Sequence, residues 1–199
     1  MPALWRRSDG KHIADTWRWG HGRAVAEAAL LSGKWQSVRF LDDRWPELSE
    51  LYGIAVVGKP EDIAAHAYAG SAAIAAVGNN ALRERWSQLI EGAGLPLATV
   101  IHPRAFVSND AEVGNGVAVM AMAMVGVGAV LGQGAIVNAN ATVDHDAVLG
   151  DFAHLGVGVQ LAGGVKVGAR AWLQAGCCAG YHVVVEDGAL HAPGTVFQR

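Results

Sequence analysis

The sequence predicts two structural units, a small parallel α/β domain followed by a parallel β-helix. The β-helix is indicated by a period of six residues that runs without interruption from Val100 to Ala189. The α/β domain is indicated by strand-like and helix-like segments that alternate before Val100, where the period of six is absent. This change of pattern predicts domains at residues 1–99 and 100–199.

The period of six has a regular composition. Position two of the repeat is Ile, Val or Leu in fourteen of fifteen hexads, with Ala179 as the exception, and position six is always Ala, Val or Cys. An α-helix repeats every 3.6 residues and an ordinary strand every two, so neither keeps this period. Hexapeptide periodicity is typical of a parallel β-helix, in which three hexads close a triangular coil of about eighteen residues. We therefore expect about five coils, with position two in the interior and position six near a corner.

The first hundred residues show the alternation expected of a parallel sheet. We predict strands at Ser37–Asp43, Ile54–Val57 and Ala72–Val77, and helices at Gly22–Ser32 and Ala81–Glu91. In such sheets, ligands bind beyond the carboxyl ends of the strands. These ends are predicted at His21–Gly22, Asp42–Asp43 and Gly78–Asn80.

Composition excludes several classes of protein. The net charge of −3 offers no basic surface for nucleic acid. The sequence has no apolar run of about twenty residues, which a membrane span would need. Its first residues lack the apolar core of a signal peptide. The two cysteines, Cys177 and Cys178, are adjacent and make neither a disulfide framework nor a metal-binding pair. We expect a cytoplasmic protein.

Five segments in order carry a resemblance to a known family: GHGRAVAEA, FLDD, AVGNNALRERW, VIHPRA and VNANATVDHDAVLGDFAHLGVGVQLAGGVKVG. They resemble the NeuD/PglD-type family of hexapeptide-repeat acyltransferases, which modify sialic acids or nucleotide-linked amino sugars for surface glycans. The resemblance implies a Rossmann-like domain followed by a left-handed β-helix. It also implies a homotrimer, acetyl-CoA as donor and a nucleotide-sugar site on the first domain; no metal is expected.

The coil of eighteen residues predicts which side chains meet. His145 and Gly163 are eighteen residues apart and occupy the same place on consecutive coils. Since stacked strands lie about 4.8 Å apart, the Gly163 backbone should lie over the His145 side chain. His154 is nine residues from each, on a different wall. In one chain it would be remote from His145, whereas in a threefold trimer it would face a neighbour's His145, which predicts a site between subunits.

Acetyl transfer needs a base with a pKa near neutrality, and His145 is the candidate. A carboxylate on its second ring nitrogen would fix the tautomer and raise the basicity. Asp144 and Asp146 both flank it, and the resemblance favours Asp146. A backbone N–H at or near Gly163 would stabilise the oxyanion.

The remaining site residues come from the resemblance and from the strand ends. By resemblance, Gly163 and Ala175 line the acetyl-CoA site, and His154 contacts acetyl-CoA. Asn138, at the third position of its hexad before His145, would orient the acceptor. The GHG segment opens a helix, so Gly20 and His21 would present amides to a diphosphate. Asp42 and Asp43 would then bind the base or ribose, and Gly78 would allow close approach. In the alternative interpretation, the glycines only turn the chain and Asp43 caps a helix.

Two segments depart from the family's pattern. Where the family has an apolar first strand, this chain has HIADTWRWGHG, with Asp15, Arg18 and Trp19. A central strand does not bury Asp and Arg without partners, so we expect a disturbed first strand and weaker nucleotide-sugar binding. The period of six falters after Ala189 and the sequence stops at Arg199, where the family usually continues with more coil and a tail that helps hold CoA. We therefore expect weaker donor binding.

The leading functional hypothesis is N-acetylation of a UDP-linked 4-amino sugar. O-acetylation of a sialic acid uses the same chemistry and stays open, as does a trimeric scaffold with impaired catalysis. A zinc enzyme resembling γ-carbonic anhydrase would need three convergent histidines, and only His145 and His154 are suitably placed.

Overall fold

The protein is described by a computed structural model that covers residues 12–16, as backbone, and residues 20–198. Its first part holds five strands, two α-helices and one 3-10 helix. In chain order these are β1 (His12–Thr16), α1 (His21–Leu31), β2 (Ser37–Leu41), β3 (Glu50–Leu51), β4 (Ile54–Gly58), the 3-10 helix (Pro60–His66), β5 (Ser71–Ile74) and α2 (Asn80–Gly92).

The five strands form one sheet in the order β3-β4-β2-β1-β5. Every pairing is parallel except that of β3 with β4, which is a short antiparallel hairpin at the edge. Two apolar clusters pack against the sheet, one with residues of α1 and the other with residues of α2. The alternation of strands and helices in the sequence therefore produces the predicted α/β arrangement.

The first strand differs from the expectation. The backbone of β1 pairs in parallel with β2 from His12 to Thr16 and with β5 from His12 to Asp15. It is thus a regular interior strand between β2 and β5, and the expectation of a disturbed strand is wrong for its backbone. The backbone ladder satisfies every peptide group whatever the side chain, so polar residues do not by themselves prevent the pairing. Residues 17–19 lie outside the described residues.

From Val100 onward the chain winds into a left-handed β-helix of two-residue strands. They are β6 (Val100–Ile101), β7 (Phe106–Val107), β8 (Glu112–Val113), β9 (Ala118–Val119), β10 (Met124–Val125), β11 (Val130–Leu131), β12 (Ile136–Val137), β13 (Thr142–Val143), β14 (Val148–Leu149), β15 (His154–Leu155), β16 (Gln160–Leu161), β17 (Lys166–Val167), β18 (Trp172–Leu173), β19 (Cys178–Ala179), β20 (Val184–Val185), β21 (Leu190–His191) and β22 (Val196–Phe197).

These strands form three parallel sheets, which are the walls of a triangular coil. We call them the first wall (β6, β9, β12, β15, β18, β21), the second wall (β7, β10, β13, β16, β19, β22) and the third wall (β8, β11, β14, β17, β20). Paired residues are eighteen apart, as in Ile136 with His154 and Val143 with Leu161. The predicted coil length is confirmed.

Positions two and six of the hexads fill the interior of the coil. Val143, Ala147, Leu149 and Ala153 are all within 1% of complete burial and belong to one continuous apolar cluster. Burial of aliphatic side chains contributes about 1.5–3 kcal/mol each, so this column of small and branched residues stabilises the whole β-helix.

The β-helix continues past Ala189, where the hexad composition becomes less regular. Strand β21 pairs with β18, and strand β22 pairs with β19. Pro193 lies at a corner between them, where its missing N–H is not needed by a strand ladder. Backbone pairing therefore carries the coil through a segment whose side chains depart from the pattern.

Arg83 joins the α/β part to the β-helix through buried hydrogen bonds. Its side chain is 1% exposed, and it donates hydrogen bonds across the junction to carbonyls of Gly134 (2.7 Å) and Phe152 (2.6 Å). On its own side it donates to Val77, Gly78 and Asn80. Burial lowers the pKa of Arg83 to about 9, so the guanidinium remains charged near neutral pH.

No helix in the described part of the chain is long and apolar enough to cross a bilayer.

Candidate active site

His145 and Asp146 lie at the corner that joins the second wall to the third. Nδ1 of His145 is 2.9 Å from Oδ2 of Asp146. A carboxylate accepts only, so Nδ1 carries the proton and the neutral ring presents the lone pair of Nε2. The hydrogen bond to Asp146, and next the charge of Asp144, raise the pKa of His145 above its ordinary value. The imidazole is 48% exposed, so this basic nitrogen is accessible.

The two flanking carboxylates have different contacts. Asp146 binds the ring, and it holds a left-handed backbone conformation with φ of 58° at the corner. The side chain of Asp144 instead accepts the backbone N–H of His145 at 2.7 Å. The geometry thus makes Asp146 the partner of the imidazole, whereas Asp144 shapes the turn and adds negative charge.

Gly163 lies directly over the imidazole of His145, as the eighteen-residue spacing predicts. A Cβ atom at this position would overlap Nε2 and Cε1 of the ring. At the same corner, the amide of Gly164 donates to the carbonyl of His145 at 2.9 Å. A glycine is therefore required here if the imidazole is to keep its position.

This overlap leads to a prediction for Gly163→Ala. The added methyl group will displace the His145 ring, and a misplacement of about 1 Å costs about 10²-fold in kcat. Steady-state kinetics and thermal unfolding of the same samples measure the effect. Gly180→Ala is the matched control, because a Cβ atom there meets only a carbonyl oxygen at 3.7 Å. Equal kcat for both variants would contradict the prediction.

A cavity of about 580 Å³ lies between the α/β part and the β-helix. It is lined by residues of the two helix starts and of the first wall: Gly20, His21, Val77, Gly78, Asn79, Leu82 and Trp172. Three of the predicted substrate residues, Gly20, His21 and Gly78, thus share one cavity. The Asn79 side chain accepts the N–H of Leu82 and caps α2.

His154 lies on the first wall, away from the His145 corner of the same chain, as the coil spacing predicts. It is 6% exposed in the chain and lies behind the cavity wall, with Nδ1 3.0 Å from the carbonyl of Gly78. The ring stacks on Trp172 at 5.2 Å between centroids and lies 6.4 Å from the ring of His21. The α/β part covers this position, which coil spacing alone does not reveal. Contact with acetyl-CoA stays a prediction.

The four other predicted residues do not meet in one place. Asp42 is 2% exposed and forms a bidentate ion pair with Arg44 at 2.8 and 2.9 Å, and this hydrogen bond raises the pKa of Arg44. The carboxylate is therefore already engaged, whereas that of Asp43 is exposed. Asn138 lies on the His154 side of the coil and accepts the N–H of Ala139 at 2.8 Å. Ala175 is exposed at the corner that joins the first wall to the second.

Arg83 and Trp172 were not predicted from the sequence to have a role, although the sequence contains an indication for each. Arg83 shares a buried face of α2 with Trp86 and Ile90, so a charge at that helical position indicated a buried role. Trp172 follows His154 by eighteen residues and pairs with it, so the spacing that placed Gly163 over His145 would also have placed Trp172 over His154.

Comparison with known proteins identifies the family. The sequence profile described as the PglD N-terminal domain matches residues 20–90. The acetyltransferase domain of PglB from Neisseria gonorrhoeae FA1090 is 34% identical with a TM-score of 0.89, covering 95% of this chain and 92% of that one. The chain belongs to the NeuD/PglD family of sugar acetyltransferases.

Two further structures extend the comparison. The PglB domain has also been solved with acetyl coenzyme A, with 33% identity and a TM-score of 0.88 over 95% of this chain and 93% of that one. PerB from Caulobacter crescentus, solved with CoA and GDP-perosamine, is 31% identical with a TM-score of 0.81 over 96% and 93%. A search of curated proteins gave no significant match.

The resemblance and the enzyme class predicted from the sequence are thus confirmed. This member of the NeuD/PglD family is an acetyltransferase that uses acetyl-CoA. Among the described residues, no group of three or more His, Cys, Asp or Glu side chains could hold a metal ion.

Proposed function

We propose that the protein transfers the acetyl group of acetyl-CoA to the amine of an amino sugar linked to a nucleoside diphosphate. The observation that carries the proposal is the pair of His145 and Asp146 beneath Gly163. It presents a basic Nε2 on a half-exposed imidazole, for which the missing Cβ of Gly163 leaves room. The family membership supports the donor, and GDP-perosamine bound to PerB supports the class of acceptor.

In the proposed reaction, the sugar amine attacks the thioester carbonyl carbon while its proton passes to Nε2 of His145. The carbonyl oxygen becomes an oxyanion, and the amide of Gly163 stabilises it, because the neighbouring amide of Gly164 already binds the His145 carbonyl. The tetrahedral intermediate then breaks its C–S bond. The proton on His145 passes to the leaving thiolate, so the products are the acetamido sugar and CoA.

The site is proposed to lie between subunits of a trimer. Within one chain, the His145 corner lies opposite the first wall, which carries His154 and Trp172 beside the cavity. A second copy would bring its own base to this cavity. The second wall and its two corners carry exposed apolar side chains, which favour contact with a second copy of the chain there. These side chains are Phe106, Met122, Val127, Val157, Tyr181 and Val196.

The acceptor is proposed to bind in the cavity at Gly20, His21 and Gly78. The amides at the start of α1 and the close approach allowed by Gly78 suit a diphosphate. The sequence predicts a UDP-linked sugar, whereas the acceptor in the PerB structure is GDP-linked. Both nucleotides therefore belong in the test.

The test is thiol release from acetyl-CoA with UDP- and GDP-linked 4-amino sugars and with a sialic acid, followed by mass spectrometry of the product. An acetamide on the nucleotide amino sugar is the expected product, and sedimentation should give a trimer. Acetylation of only the sialic acid hydroxyl would overturn the proposed acceptor. No turnover from a folded trimer would favour the scaffold instead.

The contact between His145 and Asp146 predicts a pH effect for Asp146→Asn. Loss of the carboxylate removes the main cause of the raised pKa, so the pKa of His145 should fall. Since the neutral imidazole is the base, the acidic limb of the kcat/KM profile should move to lower pH, and the plateau should drop because the asparagine no longer enforces the tautomer. Rate profiles from pH 5 to 9 measure both, and an unmoved limb would exclude Asp146 as the partner.

A further inference from the structure

A second imidazole, that of His182, lies at the same corner as the base. The amide of Gly164 donates to the carbonyl of His145 at 2.9 Å, and the amide of His182 donates to the carbonyl of Gly163 at 3.1 Å. Three consecutive coils are therefore in register at this corner, and the two glycines lie on the middle coil. Since stacked strands lie about 4.8 Å apart, the backbones of the two histidines are about 10 Å apart.

The two imidazoles cover the glycines from opposite sides. A Cβ atom on Gly163 would overlap Nε2 and Cε1 of His145, and a Cβ atom on Gly164 would overlap Nδ1 and Cε1 of His182. Each histidine thus directs one ring nitrogen at the middle coil, where the glycines place no side chain between the rings. The His182 side chain is exposed and forms no hydrogen bond with another described residue. Its Nδ1 is therefore available to a ligand at this corner.

Acetyl transfer requires partners for three polar groups of the tetrahedral intermediate, which are the attacking amine, the oxyanion and the sulfur of CoA. In the proposed reaction, Nε2 of His145 takes the proton of the amine, and the amide of Gly163 binds the oxyanion. The sulfur has no partner in this arrangement, although it receives the electron pair of the C–S bond. Because the amine and its sugar approach from the His145 side, the sulfur faces the opposite side of the glycines, where His182 lies.

We propose that the Nδ1–H group of His182 donates a hydrogen bond to the sulfur of CoA and stabilises the thiolate as the C–S bond breaks. No proton leaves His182 in this step. The electron pair of the C–S bond passes to the sulfur, the oxyanion reforms the carbonyl, and the proton taken from the amine reaches the thiolate from His145. The inference rests on the proposed function for the acetyl transfer and adds one catalytic residue on the donor side.

The backbone conformation of His182 determines which variants can be compared. Its φ is 59°, a left-handed conformation that Asn, Asp and Gly also adopt. His182→Asn places an amide N–H near the position of Nδ1, whereas His182→Asp has the same size but offers only acceptors. His182→Gly removes the donor without adding charge. A purely structural role for the side chain would not separate His182→Asn from the other two variants.

The first measurement is the pKa of the thiol of CoA bound to the enzyme, followed by the ultraviolet absorbance of the thiolate. Desulfo-CoA, which lacks the sulfur, serves as the blank. A hydrogen-bond donor favours the thiolate, so this pKa should be about one unit lower in the wild type and in His182→Asn than in His182→Gly. His182→Asp should have the highest value, because its charge repels the thiolate.

This titration contains no acceptor, so an error in the proposed acceptor would leave its result unchanged. Equal pKa values in the wild type and His182→Gly, or in His182→Asn and His182→Asp, would overturn the proposal. Absence of a titrating thiolate in the wild type would overturn it as well.

Steady-state kinetics with the acceptor found in the product assay is the second measurement. We expect kcat to fall about tenfold in His182→Gly and His182→Asp, and less than about threefold in His182→Asn. The KM for acetyl-CoA should stay unchanged, because the thiolate forms only as the C–S bond breaks. A higher KM at constant kcat would show that His182 only binds the donor, and this result would contradict the proposal.

Discussion

Replacement of His145 by alanine is expected to lower kcat about 10³-fold, because general-base catalysis by a positioned side chain contributes about 10²–10⁴-fold. Of the two ring nitrogens, Nε2 offers its lone pair to the amine, since Nδ1 is bound to Asp146. The imidazole is half exposed and lies outside the apolar core. The variant should therefore fold, assemble and bind acetyl-CoA as the wild type does.

Steady-state kinetics with the acceptor found in the product assay measures this effect, together with thermal unfolding. His191→Ala is the control, because this histidine lies on the same β-helix but contacts Phe197 near the last coil. Retention of more than about a tenth of the wild-type kcat in His145→Ala would contradict a general-base role, for which the loss is at least about 10²-fold.

Replacement of Arg83 by methionine is expected to lower the free energy of unfolding by about 3–5 kcal/mol. The guanidinium is buried and donates to four carbonyls and one amide oxygen on both sides of the junction. Methionine fills part of the space but donates no hydrogen bond to any of these acceptors. The junction between α2 and the β-helix should loosen, and the Gly78 carbonyl beside the cavity should lose one of its two donors.

Chemical denaturation measures the loss, and Arg85→Met is the matched control. Arg85 lies on the same helix, but its side chain is 68% exposed and reaches Glu61 only at 3.8 Å. Exposed ion pairs of this kind contribute about 0–1 kcal/mol, so the control should unfold almost as the wild type does. A loss in Arg83→Met no larger than in the control would show that the carbonyls find other partners.

The structure confirms the predictions that depend on local apolar spacing and contradicts the one that depended on polar side chains in the first strand. The strands β2, β4 and β5 and both α-helices were predicted within a few residues, since their apolar spacing is a local property. The expectation for β1 failed because polar side chains were taken to exclude a central strand, whereas the backbone pairs regularly on both sides. The last coil forms although the hexad composition departs there from the pattern, since strand pairing does not need that composition.

Some contacts of the candidate site could be predicted from the sequence, and others could not. The placement of Gly163 against His145 followed from counting residues along the coil, because stacked strands keep one register. Asp146 was favoured by resemblance, and its 2.9 Å contact with the ring agrees. The ion pair of Asp42 with Arg44 could not be predicted, because an acidic residue at a strand end does not show which side chain it contacts.

The sequence by itself determined the β-helix, its coil of eighteen residues and the position of His145 beneath Gly163. It could do so because a repeat makes distance along the chain equivalent to distance in space. Only the tertiary structure decided that Arg83 joins the two parts and that His154 is buried against Gly78, a residue 76 positions earlier. Such contacts depend on how the α/β part packs against one wall of the coil, and no local pattern encodes that packing.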